Sequence, residues 1–290
     1  MTEPLASLLT ALDLTDTGAR TNEDIFTGPS QWMPHGRVFG GQVLAQSLIA
    51  AMRTVPDDRI VHSMHGYFLR PGNVELPITF SVDRIHDGRS FATRRTQAYQ
   101  DGLPILSMIA SFQDEDEGLD HQVEMPQGLP EPESLPDSAA ALADFDHPVA
   151  RYWSSDRPFD IRHIETPIYL TVEGARTAHQ AVWIKSIGAL PDDKNLHRAA
   201  LAYASDYTIL EPTMRRHGVA WATPGFKAAS LDHAMWWHRF GRVDDWLLYV
   251  EESPSATGGR GLSLGRIFQR DGALLASVAQ EGMVRVPRKQ

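Results

Sequence analysis

Cysteine is absent from this 290-residue chain. That excludes a disulfide framework, a thiol nucleophile and any Cys-based zinc or iron–sulfur site. Positive charge is also scarce: 27 Lys and Arg stand against 37 Asp and Glu, a net charge of −10. A nucleic-acid partner is therefore not expected, since phosphate-backbone binding needs an excess of cations over one face. A small anionic ligand held by a few local arginines is still compatible with this balance. No apolar run approaches the roughly 20 residues of a membrane-spanning helix, so membrane insertion is not expected. The opening MTEPLASLLTALDL lacks a basic segment followed by a long apolar core, and the closing PRKQ carries no retention or peroxisomal signal. A cytoplasmic location is the expectation.

Several chemical signatures are missing too. Gly261-Leu262-Ser263-Leu264-Gly265 matches Gly-x-Ser-x-Gly but lies within the strand-like segment Gly261–Phe268 and not at a strand-to-helix turn, so it is no nucleophile elbow. There is no Walker loop, no Rossmann glycine fingerprint and no His-Glu-x-x-His pair. Gly40-Gly41 alone reads as close packing at a helix start. His35, His62 and His65 could meet at a metal only if the fold gathered them, and no metal is assigned from them.

What is present is a hydrophobic fraction of 42% with 22% charged residues, the balance of a folded globular protein. Residues 5–13 form a short amphipathic pattern. Phe39–Arg53 is apolar or small on nearly every face, which predicts a helix buried all round. Four strand-like segments follow, Val61–Arg70, Pro77–Ile85, Ser90–Tyr99 and Ile105–Phe112, joined by Pro71-Gly72-Asn73, Asp87-Gly88 and Asp101-Gly102. Such a run predicts an antiparallel meander packed on the helix. From Asp114 to about Asp137 the chain is acidic and Pro-rich without hydrophobic period, an exposed linker, with a helix possible over 138–145.

Beyond the linker the same order returns. Residues 161–187 supply edge strands, Leu196–Leu210 a second apolar helix, and Ala228–His238, Trp246–Glu252, Gly261–Phe268 and Leu274–Arg285 four strands. His65 aligns with His233, and Asp101-Gly102 with Asp271-Gly272, at intervals of 36 and 38 residues. Ser107 then falls on Ser277. A duplicated unit is expected, each helix embraced by its own sheet.

Asp206 is the anomaly, a carboxylate inside an otherwise apolar helix, where an unpaired charge is costly. Periodicity alone leaves two readings open, a structural ion pair or hydrogen bond and a group tuned for catalysis. Gln280 stands in the last strand where its repeat partner is Ala110. It either faces solvent or marks the copy that holds an active site. Ser230-Leu231-Asp232-His233 opens a strand rich in Trp and Met.

At these residues the chain resembles the acyl-CoA thioesterase II family. The resemblance is carried by RVFGGQVLAQSL (37–48), VHSMHGYFLRPG (61–72), LAYASDYTIL (201–210), ASLDHAMWWHR (229–239), WLLYVEESPSATGGRGLSLGRIFQRDG (246–272) and LLASVAQEGMVR (274–285). It implies an α+β double-hotdog fold, two fused units of helix wrapped by antiparallel sheet. The corresponding division is an N-terminal hotdog over 1–113, a linker over 114–155 and a C-terminal hotdog over 156–290 carrying the active site. The family's Asp, Thr or Ser, and Gln map onto Asp206, Ser230 and Gln280. The implied activity is hydrolysis of acyl-CoA by an activated water, without cofactor or covalent intermediate, and by analogy of fold in a homo-oligomer. Asp206 is the only one of the three able to act as a base near neutrality. His65 lies in the family's VHS-x-H segment, as a substrate-facing or a packed residue. Arg94, Arg95, Arg260 and Arg266 are candidates for the CoA phosphates, and apolar residues of 221–240 for the acyl tunnel.

Two alternatives stand beside this reading. A hotdog enoyl-CoA hydratase would use an Asp/His pair, for which Asp232-His233 is poorly suited because neighbours on a strand point to opposite faces. A non-catalytic acyl-CoA-binding protein would bind without turnover.

Overall fold

The structure, a computed structural model, describes residues 2–18, 23–143 and 145–286. Helix α1 (Glu3–Leu12) and the short strands β1 (Thr15–Asp16) and β2 (Asp24–Gly28) precede α2 (Gly40–Met52). Every residue of α2 from Gly41 to Met52 is buried, as its lack of a polar face requires. Strands β3 (Arg59–Phe68), β4 (Ile78–Asp87), β5 (Phe91–Gln100) and β6 (Leu103–Asp114) follow in antiparallel order. Asp101 and Gly102 both take positive φ, +49° and +72°, which gives the tight β5–β6 hairpin the twist its strands need.

The second half holds the short helices α3 (Ser138–Ala141) and α4 (Pro148–Arg151), then β7 (Phe159–His163) and β8 (His179–Ser186). Helices α5 (Lys194–Ser205) and α6 (Glu211–His217) come next. Strands β9 (Lys227–Ser230), β10 (Asp232–Trp237), β11 (Leu247–Thr257), β12 (Arg260–Gln269) and β13 (Leu274–Arg285) close the chain. The helix anticipated over 138–145 is confined to α3, with Asp144 outside the described residues. No helix among the described residues is long and apolar enough to cross a membrane.

Three expectations need correcting. The helix expected over 196–210 stops at Ser205, and 206–210 form turns before α6. Pro212 explains the break: it has no N–H for the carbonyl of Thr208, and its ring would clash there in a continuous helix. Asp206 therefore caps a helix end instead of sitting in mid-helix.

The two halves also do not keep separate sheets. β3 pairs antiparallel with β10, from Asp232 opposite Tyr67 to Trp236 opposite Ser63. The strand order is β1-β2-β4-β5-β6-β3-β10-β13-β12-β11-β8-β7, with β9 alongside β13. Joining the halves this way removes two open sheet edges. α2 and α5 pack against each other inside the common curl, and a single apolar core draws on both halves.

The third correction concerns register. Ala110 pairs with Met64, and Ala279 with Ala234, so Gln280 lies beside His233. If Gln280 corresponds to Ala110, the counterpart of His233 is Met64 and not His65. Burial agrees, since Met64 and His233 are fully buried while His65 is exposed on the outer face against Trp236. A slip of one residue reverses the face of every side chain in a strand.

The acidic segment after Asp114 is mostly exposed but anchored. Met125, Leu129 and Leu135 pack beside Trp183, Trp246 and Leu248 on the outer face of the C-terminal strands, and Trp183 Nε1 donates to the Pro130 carbonyl at 2.9 Å.

Candidate active site

The break after α5 turns the Asp206 carboxylate toward the inner faces of β9 and β13. Ser230 Oγ donates to Asp206 Oδ1 at 3.0 Å. Gln280 Nε2 donates to the same oxygen at 2.9 Å and to Ser230 Oγ at 2.9 Å. The three side chains named from the sequence thus meet at one carboxylate oxygen, although 74 residues separate Asp206 from Gln280.

The strand irregularity at Leu231 is what makes this possible. With strict alternation, an inward Ser230 would place Asp232 inward and His233 outward. Instead β9 ends at Ser230 and β10 begins at Asp232. The phase shifts, so Ser230 and His233 both face the interior, while Asp232 Oδ1 accepts from the Glu281 backbone N–H at 2.7 Å. Asp232 and His233 do not form a pair.

His233 is the site residue that sequence reasoning missed as a partner of Gln280. Its Nδ1 is hydrogen-bonded to Gln280 Oε1, and its Nε2 lies 3.0 Å from Ser205 Oγ. An amide oxygen only accepts, so Nδ1 carries the proton in this contact. Holding the Gln280 oxygen fixes the amide orientation and aims its NH₂ at Asp206 and Ser230. The sequence signal was faint: a polar His and a polar Gln on two adjacent inner strands.

The other oxygen of Asp206 lies against the start of α2. A Cβ added to Gly40 would come within 2.6 Å of Asp206 Oδ2, and one added to Gly41 within 2.3 Å of the Tyr203 carbonyl. These glycines let the positive end of the α2 dipole, with the Gly41 N–H, reach the carboxylate. Burial still dominates and raises the Asp206 carboxyl above its ordinary range, opposed by His233, by the Gln280 and Ser230 hydrogen bonds and by Gly41. Burial likewise lowers the His233 imidazole, with Asp206 opposing.

Asp206 and Ser230 line a cavity of about 440 Å³. Its walls include Phe39, Val43, Phe68, Ile105, Leu210 and Trp221, so the apolar lining comes from both halves instead of from 221–240 alone. Met235 and Trp237 belong to the core. Exposed Arg37 and Arg70 stand on its rim. The arginines anticipated for phosphate lie elsewhere and are already paired: Arg94 with Asp87, Arg95 with Asp83, Arg260 with Glu281 and Arg266 with Glu252. Arg94 is buried as well, which rules it out as a surface cation. His35 lines the cavity, His62 contacts Ser111 Oγ and His65 faces outward, so these three are not gathered.

Comparison with known proteins decides the family. The chain matches the family model described as acyl-CoA thioesterase over residues 155–283, and that of the acyl-CoA thioesterase N-terminal domain over 28–113. It is 38% identical over 267 residues to acyl-CoA thioesterase 2 of Haemophilus influenzae, covering 90% of this chain and 92% of that one. The chain belongs to the acyl-CoA thioesterase family. It is accordingly a thioester hydrolase. Human acyl-coenzyme A thioesterase 8 is 37% identical over 277 residues, covering 91% and 86% of the two chains. The crystal structure of acyl-CoA thioesterase II TesB2 from Mycobacterium marinum superposes with a TM-score of 0.78 at 39% identity, covering 98% of this chain and 99% of that one. The double-hotdog architecture of this thioesterase is therefore shared with its solved relatives.

Proposed function

We propose that this thioesterase hydrolyses acyl-CoA with Asp206 as general base, Ser230 and Gln280 as the groups that orient the water, and no covalent acyl-enzyme. The observation that carries this reading is the convergence of Ser230 Oγ and Gln280 Nε2 on Asp206 Oδ1 at the wall of an apolar cavity. A water replacing one of these mutual contacts would be held for attack on the thioester carbon. Asp206 takes its proton as the new C–O bond forms. The C–S bond then breaks, and the departing thiolate recovers the proton from Asp206, leaving free acid and CoA. The positive end of the α2 dipole, which already faces Asp206, would stabilise the developing oxyanion. Arg37 and Arg70 at the rim supply the positive charge that the CoA phosphates need. Self-association would use the outer face around β3, β6 and β10, where Tyr67, Ile109 and Trp236 are exposed; sedimentation of the purified chain reads it directly.

Ser230 separates this mechanism from a nucleophilic serine. Its hydroxyl donates to a carboxylate and not to an imidazole, since His233 is engaged by Gln280 and Ser205. Ser230→Thr keeps the hydroxyl and is expected to retain activity within about tenfold. Ser230→Ala is expected to lose more, on the order of 10² in kcat. Rapid-quench mass spectrometry checks the chemistry: an acyl group found on Ser230 would overturn the activated-water mechanism.

A further inference from the structure

Arg157 is a buried cation with no counter-ion among the described residues. It lines the cavity that also holds Asp206, and its residue exposure is 5%. Burial opposes its charge, the ionisable groups that act on it most are Tyr169, Tyr207 and Tyr152, none of them a carboxylate, and among the described residues it makes no ion pair. The guanidinium stacks over Tyr169 and Tyr207, 5.9 and 5.5 Å from their ring centres. Nη2 donates to Ser138 Oγ at 2.6 Å and to Tyr169 Oη at 3.2 Å, while Nε is buried without an acceptor. Two protein hydrogen bonds leave most of the five guanidinium donors unused.

Such a group is costly inside a protein unless something pairs with it. Tyrosine faces and hydroxyls compensate in part. The two carboxylates that share the cavity wall are already committed. Asp206 is held by Ser230 and Gln280, and Glu211 accepts from Gln180 and Trp221 with His163 at 3.0 Å. Neither makes an ion pair with Arg157. The outstanding need of this end of the cavity is thus an anionic acceptor brought by the ligand. Two sources exist in an acyl-CoA, the phosphates and the acyl chain. The phosphates are bulky and strongly hydrated, and exposed Arg37 and Arg70 at the rim offer them a cation there. A 5%-exposed guanidinium enclosed by Tyr152, Trp153, Tyr169 and Tyr207 fits a single planar carboxylate at the end of a narrow chain.

We infer that Arg157 forms a subsite for a carboxylate carried by the acyl group away from the thioester, so that mono-CoA thioesters of dicarboxylic acids are substrates. This rests on the proposed placement of the acyl group in the Asp206 cavity. The Ser138–Arg157–Tyr169 contacts would hold the guanidinium in place before substrate arrives, which limits the ordering cost of binding.

The test uses the purified full chain and a series of ω-carboxyl acyl-CoAs, each paired with the unsubstituted acyl-CoA of equal carbon number. For at least one length, wild type is expected to hydrolyse the carboxylated member with kcat/KM within about tenfold of its partner, because an unpaired carboxylate in an apolar tunnel would be rejected more strongly. Stronger rejection at every length overturns the inference. Arg157→Met is expected to lower kcat/KM for the carboxylated member by at least about tenfold relative to its partner. Arg157→Lys should fall between, since it keeps charge and loses the fork, and it carries the test if the Met variant does not fold. An equal loss on both members, with weaker inhibition by free CoA, would assign Arg157 to a phosphate and overturn the subsite. Equal activity on both members in either variant overturns it as well. Arg37→Gln with Arg70→Gln is expected to raise KM for both members alike and leave their ratio unchanged; a changed ratio would move the carboxylate to the rim. Asp206→Asn reports on the underlying reading separately, since it should silence both members whatever the role of Arg157.

Discussion

Asp206→Asn is expected to lower kcat by a factor on the order of 10²–10⁴ while the melting temperature holds or rises. Asparagine keeps an oxygen for the Ser230 and Gln280 donors but has no basic group, so the water is positioned and not deprotonated. The stability side follows from linkage. Burial raises the Asp206 carboxyl above the ordinary value of 3.8. A raised folded-state pKa means that the neutral acid is the form the fold favours. Its stabilising contribution is present below the unfolded pKa and is lost as pH rises through the folded one. At neutral pH the ionised carboxylate is therefore a cost that Asn removes. The same shift sets the wild-type profile: turnover should rise with pH through a midpoint above the ordinary carboxylate range, and the Asn variant should lack that limb. Turnover and thermal unfolding of the purified variant across pH check both halves. A stable, fully active Asn enzyme removes Asp206 from the mechanism, and a folding defect with normal turnover makes its role structural.

Gly41→Ala is expected to be the most damaging small substitution outside the polar triad. An added Cβ would lie 2.3 Å from the Tyr203 carbonyl oxygen and 2.5 Å from the Phe39 ring. A backbone carbonyl in the last turn of α5 cannot swing aside as a flexible side chain would, so α2 and α5 must separate. Overpacking of this kind costs about 1–3 kcal/mol, against a gain of up to ~1 kcal/mol from placing alanine in a helix. Net destabilisation is the expected sign, read as a lower denaturation midpoint. Turnover should fall with it, because Asp206 lies only three residues beyond Tyr203. Gly40→Ala provides the contrast. Its Cβ would meet Asp206 Oδ2 at 2.6 Å and the Phe68 ring at 3.1 Å. Activity should drop with a smaller loss of stability, because the first group to move is the carboxylate itself. A Gly41→Ala enzyme as stable and active as wild type would refute the close helix contact.

Much of the architecture follows from patterns local to the chain. An all-round apolar stretch such as 40–52 must be buried, the strand-like segments after it supply the cover, and Asp101-Gly102 between two apolar runs specifies a hairpin. The halves repeat these signals, so a duplicated helix-and-meander unit was legible before any coordinate, and the resemblance carried by long family motifs implied the double hotdog and pointed to Asp206, Ser230 and Gln280. Tertiary structure alone decided how those three meet. Asp206 faces β13 because Pro212 ends the helix early, an effect masked in the sequence by apolar residues that run on to Leu210. His233 joins Gln280 because a break at Leu231 shifts the strand phase, and a period of two gives no warning of a one-residue slip. A separate one-residue offset misaligned His65 with His233. The fusion of both sheets through β3 and β10 depends on edge pairing across some 170 residues, which no window of sequence contains. The phosphate candidates failed for a related reason: Arg94, Arg95, Arg260 and Arg266 each find a carboxylate in the fold. Arg157 finds none among the described residues. Whether a cation is free or already paired is a property of distances between segments, and only the folded chain sets those distances.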